Sequence, residues 1–215
     1  MSGLFVVFEG GDGVGKSRQT QWLASWLVDQ GLEVVRTFEP GDSPAGQQIR
    51  RIVLSPETDG LAPRAEALLY AADKAQHVHG VVRPALGRGA VVISDRYIDS
   101  TLAYQGAGRV LDRDEVEWIN RWATEGLRPD LTILMDLDPS EGVGTLTERD
   151  RIEREPDDFH ARVRAGFLDL AARDPEHYLV LAARDAKEAN VARVRARVAG
   201  LLGLSEPPAM LGAWP

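Results

Sequence analysis

Gly10, Gly15, Lys16 and Ser17 stand at the spacing G-x-x-x-x-G-K-[ST] within LFVVFEGGDGVGKSRQT, Leu4 to Thr20. That pattern suits a polyphosphate. Glycines let successive backbone N–H groups, here from Gly10, Gly11, Asp12, Gly13, Val14 and Gly15, turn toward one anion, and a helix beginning near Lys16 adds its positive dipole end. Lys16 then reaches the β- and γ-phosphates, and the Ser17 hydroxyl ligates magnesium. A chance match is the competing explanation, because Gly, Lys and Ser are common residues. The surroundings oppose it: Leu4 to Phe8 has strand character, and Thr20 to Gln30 carries Trp22, Leu23, Trp26 and Leu27 at helical spacing, so the motif sits between a strand and a helix.

Three further groups of residues could do chemistry. Asp95 and Arg96 follow the apolar run Ala90 to Ser94, which reads as a strand buried on both faces of a parallel sheet. Ligands of open α/β sheets bind beyond the carboxyl ends of such strands, so Asp95 is placed to order magnesium and Arg96 to hold a phosphate in its planar fork. A structural ion pair at a strand end is the alternative. Tyr70 and Lys74 lie four apart on a helical pattern and face the same way, and for an aromatic at that spacing the usual reading is a core position. His77 and His79 fall on different faces, which argues against a metal site. Finally, Arg149, Arg151 and Arg154 sit among carboxylates in the charged stretch Ser140 to Pro156. This reads as a solvated loop of mixed sign with little core role or, in a protein that moves phosphoryl groups, as a lid.

The elements that must position these residues alternate. Strands are expected at Leu4–Phe8, Glu33–Phe38, Ala90–Ser94, Leu131–Leu137 and Tyr178–Leu181. Helices are expected from near Lys16 to Gln30 and over Ala45–Leu54, Pro63 to about Gly87, Ser100–Gln105, Arg113–Glu125, Asp157–Ala172 and Lys187–Leu202, with Gly106-Ala107-Gly108 as a loop. Strand, helix, strand implies right-handed crossovers and a parallel sheet. A chain of 215 residues suits one α/β domain, here 1–204 with a lid at about 140–156 and a tail at 205–215. The net charge of −8 argues against binding a nucleic-acid polymer, and the absence of cysteine excludes disulfides and thiolate chemistry. No basic leader and no apolar run of ~18 residues is present, so a cytoplasmic protein without a membrane partner is expected.

Taken in order, FEGGDGVGKS, FEPG at Phe38–Gly41, LLYAADKAQHV at Leu68–Val78, DRYIDSTLAYQGAGR at Asp95–Arg109 and DRIEREPDDFHARVRAGFLDLA at Asp150–Ala171 resemble the thymidylate kinase family. The resemblance runs from Phe5 to about Leu202. It implies the three-layer αβα fold of the P-loop NTPases with a five-stranded parallel sheet, usually in a homodimer, and transfer of phosphate from ATP to dTMP with Mg2+. It further implies that Asp12 meets the deoxyribose 3′-hydroxyl, Arg50 and Arg96 the dTMP phosphate, and Glu39 and Pro40 the conserved turn at the substrate. Tyr70 takes the place of the aromatic that stacks on thymine, Thr101 lies by the base N3 edge, and Tyr104 closes off the sugar 2′ position. Lys74 stands where the family usually carries an arginine on thymine O4. Because position 145 is Thr, the lid arginine on the γ-phosphate is expected to be Arg149, Arg151 or Arg154, the first two fitting best because they stand nearest the DRIE signature. Two other readings remain: a kinase of this fold for another nucleotide or nucleoside, and a regulatory nucleotide-binding protein without turnover.

Overall fold

The computed structural model describes residues 3–142 and 150–204. Five parallel strands stand in the order β2-β3-β1-β4-β5: β1 (Leu4–Glu9), β2 (Val34–Phe38), β3 (Val91–Asp95), β4 (Leu131–Asp136) and β5 (Tyr178–Ala182). All of β1 is buried, and its alternation divides it between two cores. Leu4, Val6 and Phe8 pack with Leu23, Trp26 and Leu27 of α1 (Lys16–Asp29) and with Val194 and Val198 of α9 (Lys187–Leu202). Phe5 and Val7 pack on the opposite face with Val78, Val82, Val92 and Tyr97. These are the three layers expected from the sequence. Between them lie α2 (Pro44–Leu54), α3 (Pro63–His77), α4 (Arg83–Gly87), α5 (Ile98–Thr101), α6 (Arg113–Ala123), α7 (Pro139–Gly142) and α8 (Asp157–Arg173).

Three expectations are corrected. The long helix from Pro63 is interrupted at Val78–Val82 by a wide π-turn before α4 resumes it. The interruption lies just before Pro84, which has no N–H to donate and whose ring would crowd the carbonyl four residues back. Gly106-Ala107-Gly108 is no loop. α5 continues into a π-turn over Leu102–Gly108 that packs on α8, where a Cβ on Gly108 would stand 2.7 Å from the Phe159 ring. Here glycine serves close packing. The charged stretch is also more than a solvated loop: Arg151 and Ile152 are buried, and Ile152 joins Tyr104, Phe159 and Phe167 in a third apolar cluster.

Candidate active site

The phosphate-binding loop fills the turn from β1 to α1, in the middle of the sheet. Gly10 has φ of +131°, and a Cβ there would lie 2.3 Å from the carbonyl oxygen of Met135 on neighbouring β4, so the turn out of the strand admits only glycine. Gly15, with φ of 90°, precedes α1. Lys16 is buried and turned back onto its own loop, Nζ donating to the carbonyls of Gly10 at 3.1 Å and Gly11 at 2.6 Å. Burial, followed by the nearby Arg96 charge, pushes its ammonium down to about 8. Ser17 Oγ donates to the Asp95 carboxylate at 2.7 Å, so the two residues expected at magnesium stand together although 78 positions apart. Both offer hard oxygen donors, the set that magnesium takes alongside phosphate and water.

Arg96 sits where β3 meets β1. Its guanidinium donates to the Gly10 carbonyl at 3.0 Å and to Ser100 Oγ at 3.1 Å, pairs with Asp12, and lies 5.2 Å from the centre of the Tyr104 ring. Tyr104 in turn donates its hydroxyl to Asp12 at 2.9 Å. Burial opposes the Asp12 charge, but Arg96, Lys16 and the tyrosine hydrogen bond outweigh it and hold this carboxyl at about 2. Asp12 is therefore ionised at any working pH.

One cavity is lined by Asp12, Glu39, Pro40, Arg50, Tyr70, Arg96, Thr101 and Tyr104, which gathers β2, α2, α3 and α5 around a single space. Asp12, Glu39, Arg50 and Arg96 also line the groove over Lys16, Ser17 and Asp95, so cavity and groove are continuous. Arg50 is exposed at the junction and donates to the Pro40 carbonyl at 2.7 Å. Lys74, in contrast, does not line the cavity. It lies fully buried beneath it, donating to Thr101 Oγ1 at 2.7 Å and pairing with Glu39 at 3.2 Å. The expected direct contact of Lys74 with a base gives way to this pairing, because a carboxylate as buried as Glu39 needs a counter-charge.

The expected lid arginines separate. Arg149 lies outside the described residues. Arg151 is engaged elsewhere, donating to the Val53 carbonyl at 2.7 and 3.0 Å and pairing with fully buried Glu66. Glu66 also accepts from Gln105 at 2.8 Å and twice from Arg109 at 3.1 Å. Arg151 is thus corrected from a cation at the γ-phosphate to a clasp that ties the C-terminal part of the lid stretch to α2 and α3. The neighbouring Asp150 and Glu153 do line the acceptor cavity.

Several residues of the site are not singled out by the sequence. His77 joins Glu39 at 2.7 Å and Thr37 at 2.6 Å beneath the Glu39-Pro40-Gly41 turn, while His79 is exposed, as the different faces of the two histidines imply. Glu66 lies in none of the quoted motifs, and Glu9 and Ser100 lie within FEGGDGVGKS and DRYIDSTLAYQGAGR without a role of their own; a carboxylate directly after an apolar run, as Glu9 is, was the one available signal. Among the described residues no cluster of His, Cys, Asp or Glu could hold a metal ion by itself, and no helix is long and apolar enough to cross a membrane.

Known proteins resemble this chain in sequence and fold. A family profile described as thymidylate kinase matches residues 8–194. The thymidylate kinase of Cutibacterium acnes is 56% identical over 202 residues, spanning 94% of this chain and 99% of the relative. That of Clavibacter sepedonicus is 57% identical over 201 residues, spanning 92% and 95%. The crystal structure of thymidylate kinase from Ehrlichia chaffeensis superposes with a TM-score of 0.71 at 32% identity, covering 84% of this chain and 93% of that one. The chain belongs to the thymidylate kinase family.

Proposed function

We propose that this nucleoside monophosphate kinase moves the γ-phosphoryl group of ATP directly onto a phosphate oxygen of dTMP, yielding dTDP and ADP without a covalent enzyme intermediate. The observation that carries this reading is the junction at Asp12, Arg50 and Arg96, where the phosphate groove opens into the acceptor cavity. In-line transfer asks for positioning and for positive charge around the transferring group rather than for a strong base. Lys16 supplies that charge from the donor side. Arg96 and Arg50 hold the acceptor phosphate, and Asp12, ionised and aimed by Arg96 and Tyr104, accepts from the 3′-hydroxyl of the sugar. Tyr70 covers the base, Thr101 meets its edge, and Tyr104 crowds the 2′ position. Ser17 and Asp95 would hold magnesium, which when bound adds positive charge to the phosphates. Residues 1–204 act as one unit with a lid at about 140–156, and the enzyme works in the cytoplasm.

A panel of nucleoside monophosphates tests the reading. ATP consumption that depends on dTMP, with the ribonucleotide UMP at least about tenfold poorer in kcat/KM, is expected; equal turnover of all acceptors, or none, sinks it. Lys74 supports both Thr101 and Glu39 from below, so Lys74→Ala is expected to raise the dissociation constant of dTMP by about tenfold, the equivalent of one charge-assisted hydrogen bond, and that of ATP by less than twofold. Calorimetric titration of each nucleotide checks this, and equal weakening of both would remove α3 from acceptor recognition.

The partner, in this proposal, is a second copy of the chain. Leu68 on α3 and Trp118 and Trp122 on α6, the tryptophans four residues apart on one helix face, are 54%, 65% and 70% exposed. Leu68 and Trp118 line a groove together with Ala67, Val116 and Ile119. A face this apolar calls for cover, and Trp118→Asp is expected to convert a dimer to a monomer in light scattering.

A further inference from the structure

Glu9 is the last residue of β1, wholly buried, and no part of the phosphate-loop spacing calls for a carboxylate there. Its side chain reaches across to the chain that leaves β3. Oε1 accepts from the backbone N–H of Tyr97 at 2.8 Å and of Ser100 at 3.1 Å, and Oε2 accepts from Ser100 Oγ at 2.6 Å. These bonds cap the first turn of α5. The residue just before that turn is Arg96, one of three non-glycine residues with positive φ among the described residues, at +74°. A side chain rarely adopts this conformation unless its surroundings impose it. Two ties hold the Arg96 backbone itself: its N–H donates to the Phe8 carbonyl at 2.9 Å, and its carbonyl accepts from Ser94 Oγ at 2.8 Å. Glu9 holds the next residue along, and it also holds the tip of Arg96, because the Ser100 hydroxyl that donates to Glu9 accepts from Arg96 Nη1 at 3.1 Å.

We propose that Glu9 is a positioning residue for phosphoryl transfer: its carboxylate clamps Tyr97 and Ser100 so that Arg96 keeps its left-handed backbone and presents its guanidinium to the acceptor phosphate. The inference rests on the reading of Arg96 as the ligand of that phosphate. A clamp chosen for stability alone would be a poor one. Burial, and then the Asp99 carboxylate, push the Glu9 carboxyl up to about 7. An acid whose pKa is raised on folding binds its proton more tightly in the folded state, so stability declines as pH rises from the unfolded value of 4.5 through about 7. Above that range the folded enzyme carries a charge that opposes folding, and it carries it where Arg96 needs an oriented acceptor behind it.

Glu9→Gln separates the two roles. The amide is the same shape and still offers one oxygen to both N–H groups, but it presents a donor to Ser100. At pH 8 the variant is expected to melt no lower than wild type while kcat/KM for dTMP falls at least tenfold and KM for ATP stays within about threefold. In an Arg96→Ala background the same replacement is expected to change kcat/KM for dTMP by less than twofold, since nothing is left to position. A folded Glu9→Gln enzyme with wild-type dTMP kinetics, or one whose loss multiplies with that of Arg96→Ala, overturns the inference and leaves the role of Arg96 intact. Should Arg96→Ala alone keep wild-type dTMP kinetics, both the Arg96 reading and the inference fall. If Glu9→Gln does not fold, Ser100→Ala decides in the same cycle: a loss in kcat/KM for dTMP that vanishes in Arg96→Ala supports the clamp, and a loss that persists there refutes it.

Discussion

Lys16→Met is expected to lower kcat by about 10²-fold or more, the scale on which one preorganised donor at developing charge contributes, while thermal unfolding stays close to wild type. The fold tolerates the change because methionine has a similar length and the lost ammonium was buried. Of the two carbonyls it served, that of Gly10 keeps a donor in Arg96. The same residue sets a pH limit. With its ammonium held down at about 8, free enzyme loses the Lys16 charge as pH rises through that value, so kcat/KM for ATP is expected to decline above about pH 8 in wild type. Near-wild-type turnover of folded Lys16→Met would remove the loop from phosphoryl transfer.

Alanine replacements at Arg149 and Arg151 are expected to fail in opposite ways. Arg151 is engaged with Glu66 and the Val53 carbonyl, so Arg151→Ala leaves a buried carboxylate with fewer partners and costs about 3 kcal/mol in chemical denaturation. Its kcat at a temperature where it is folded remains within a few-fold of wild type. Arg109 continues to pair with Glu66, which keeps the loss at the low end for a broken buried pair. Arg149 precedes Asp150, which lines the acceptor cavity, and of the two arginines nearest the DRIE signature it is the one left for a guanidinium at the γ-phosphate. Arg149→Ala is expected to lower kcat by about 10³-fold with KM for dTMP little changed, as for an arginine acting on transition-state charge. If kinetics at Arg149 stay normal, the γ-phosphate draws no guanidinium from this residue.

Sequence reading reached the parts of the protein whose chemistry is local. The spacing Gly10 to Ser17 specifies a loop because backbone geometry between a strand and a helix is set within a few residues, and the continuous apolar runs at Leu4–Phe8 and Ala90–Ser94 read as buried strands. Hence the parallel sheet lay within its scope, whereas the gathering of Tyr70, Thr101 and Tyr104 with Arg50 was only implied by the resemblance to the thymidylate kinase family. It misread Gly106 and Gly108 as loop punctuation, because a glycine that makes a turn and a glycine that lets Phe159 approach a helix are identical in a one-dimensional pattern.

Charge was the other boundary. Lys74, Arg151 and Glu9 look in sequence like a ligand, a lid cation and a residue just past a strand, and which partner each one meets depends on chain segments 27 to 98 residues away. A buried charge is tolerated only with partners at hydrogen-bond distance, and local sequence does not say who they are. The residue types and spacing determined by themselves that this chain binds a polyphosphate at the head of an α/β sheet. Tertiary structure alone decided which cations stay free for substrate and which are committed to holding the protein together, since that choice is made by packing between elements distant in the chain.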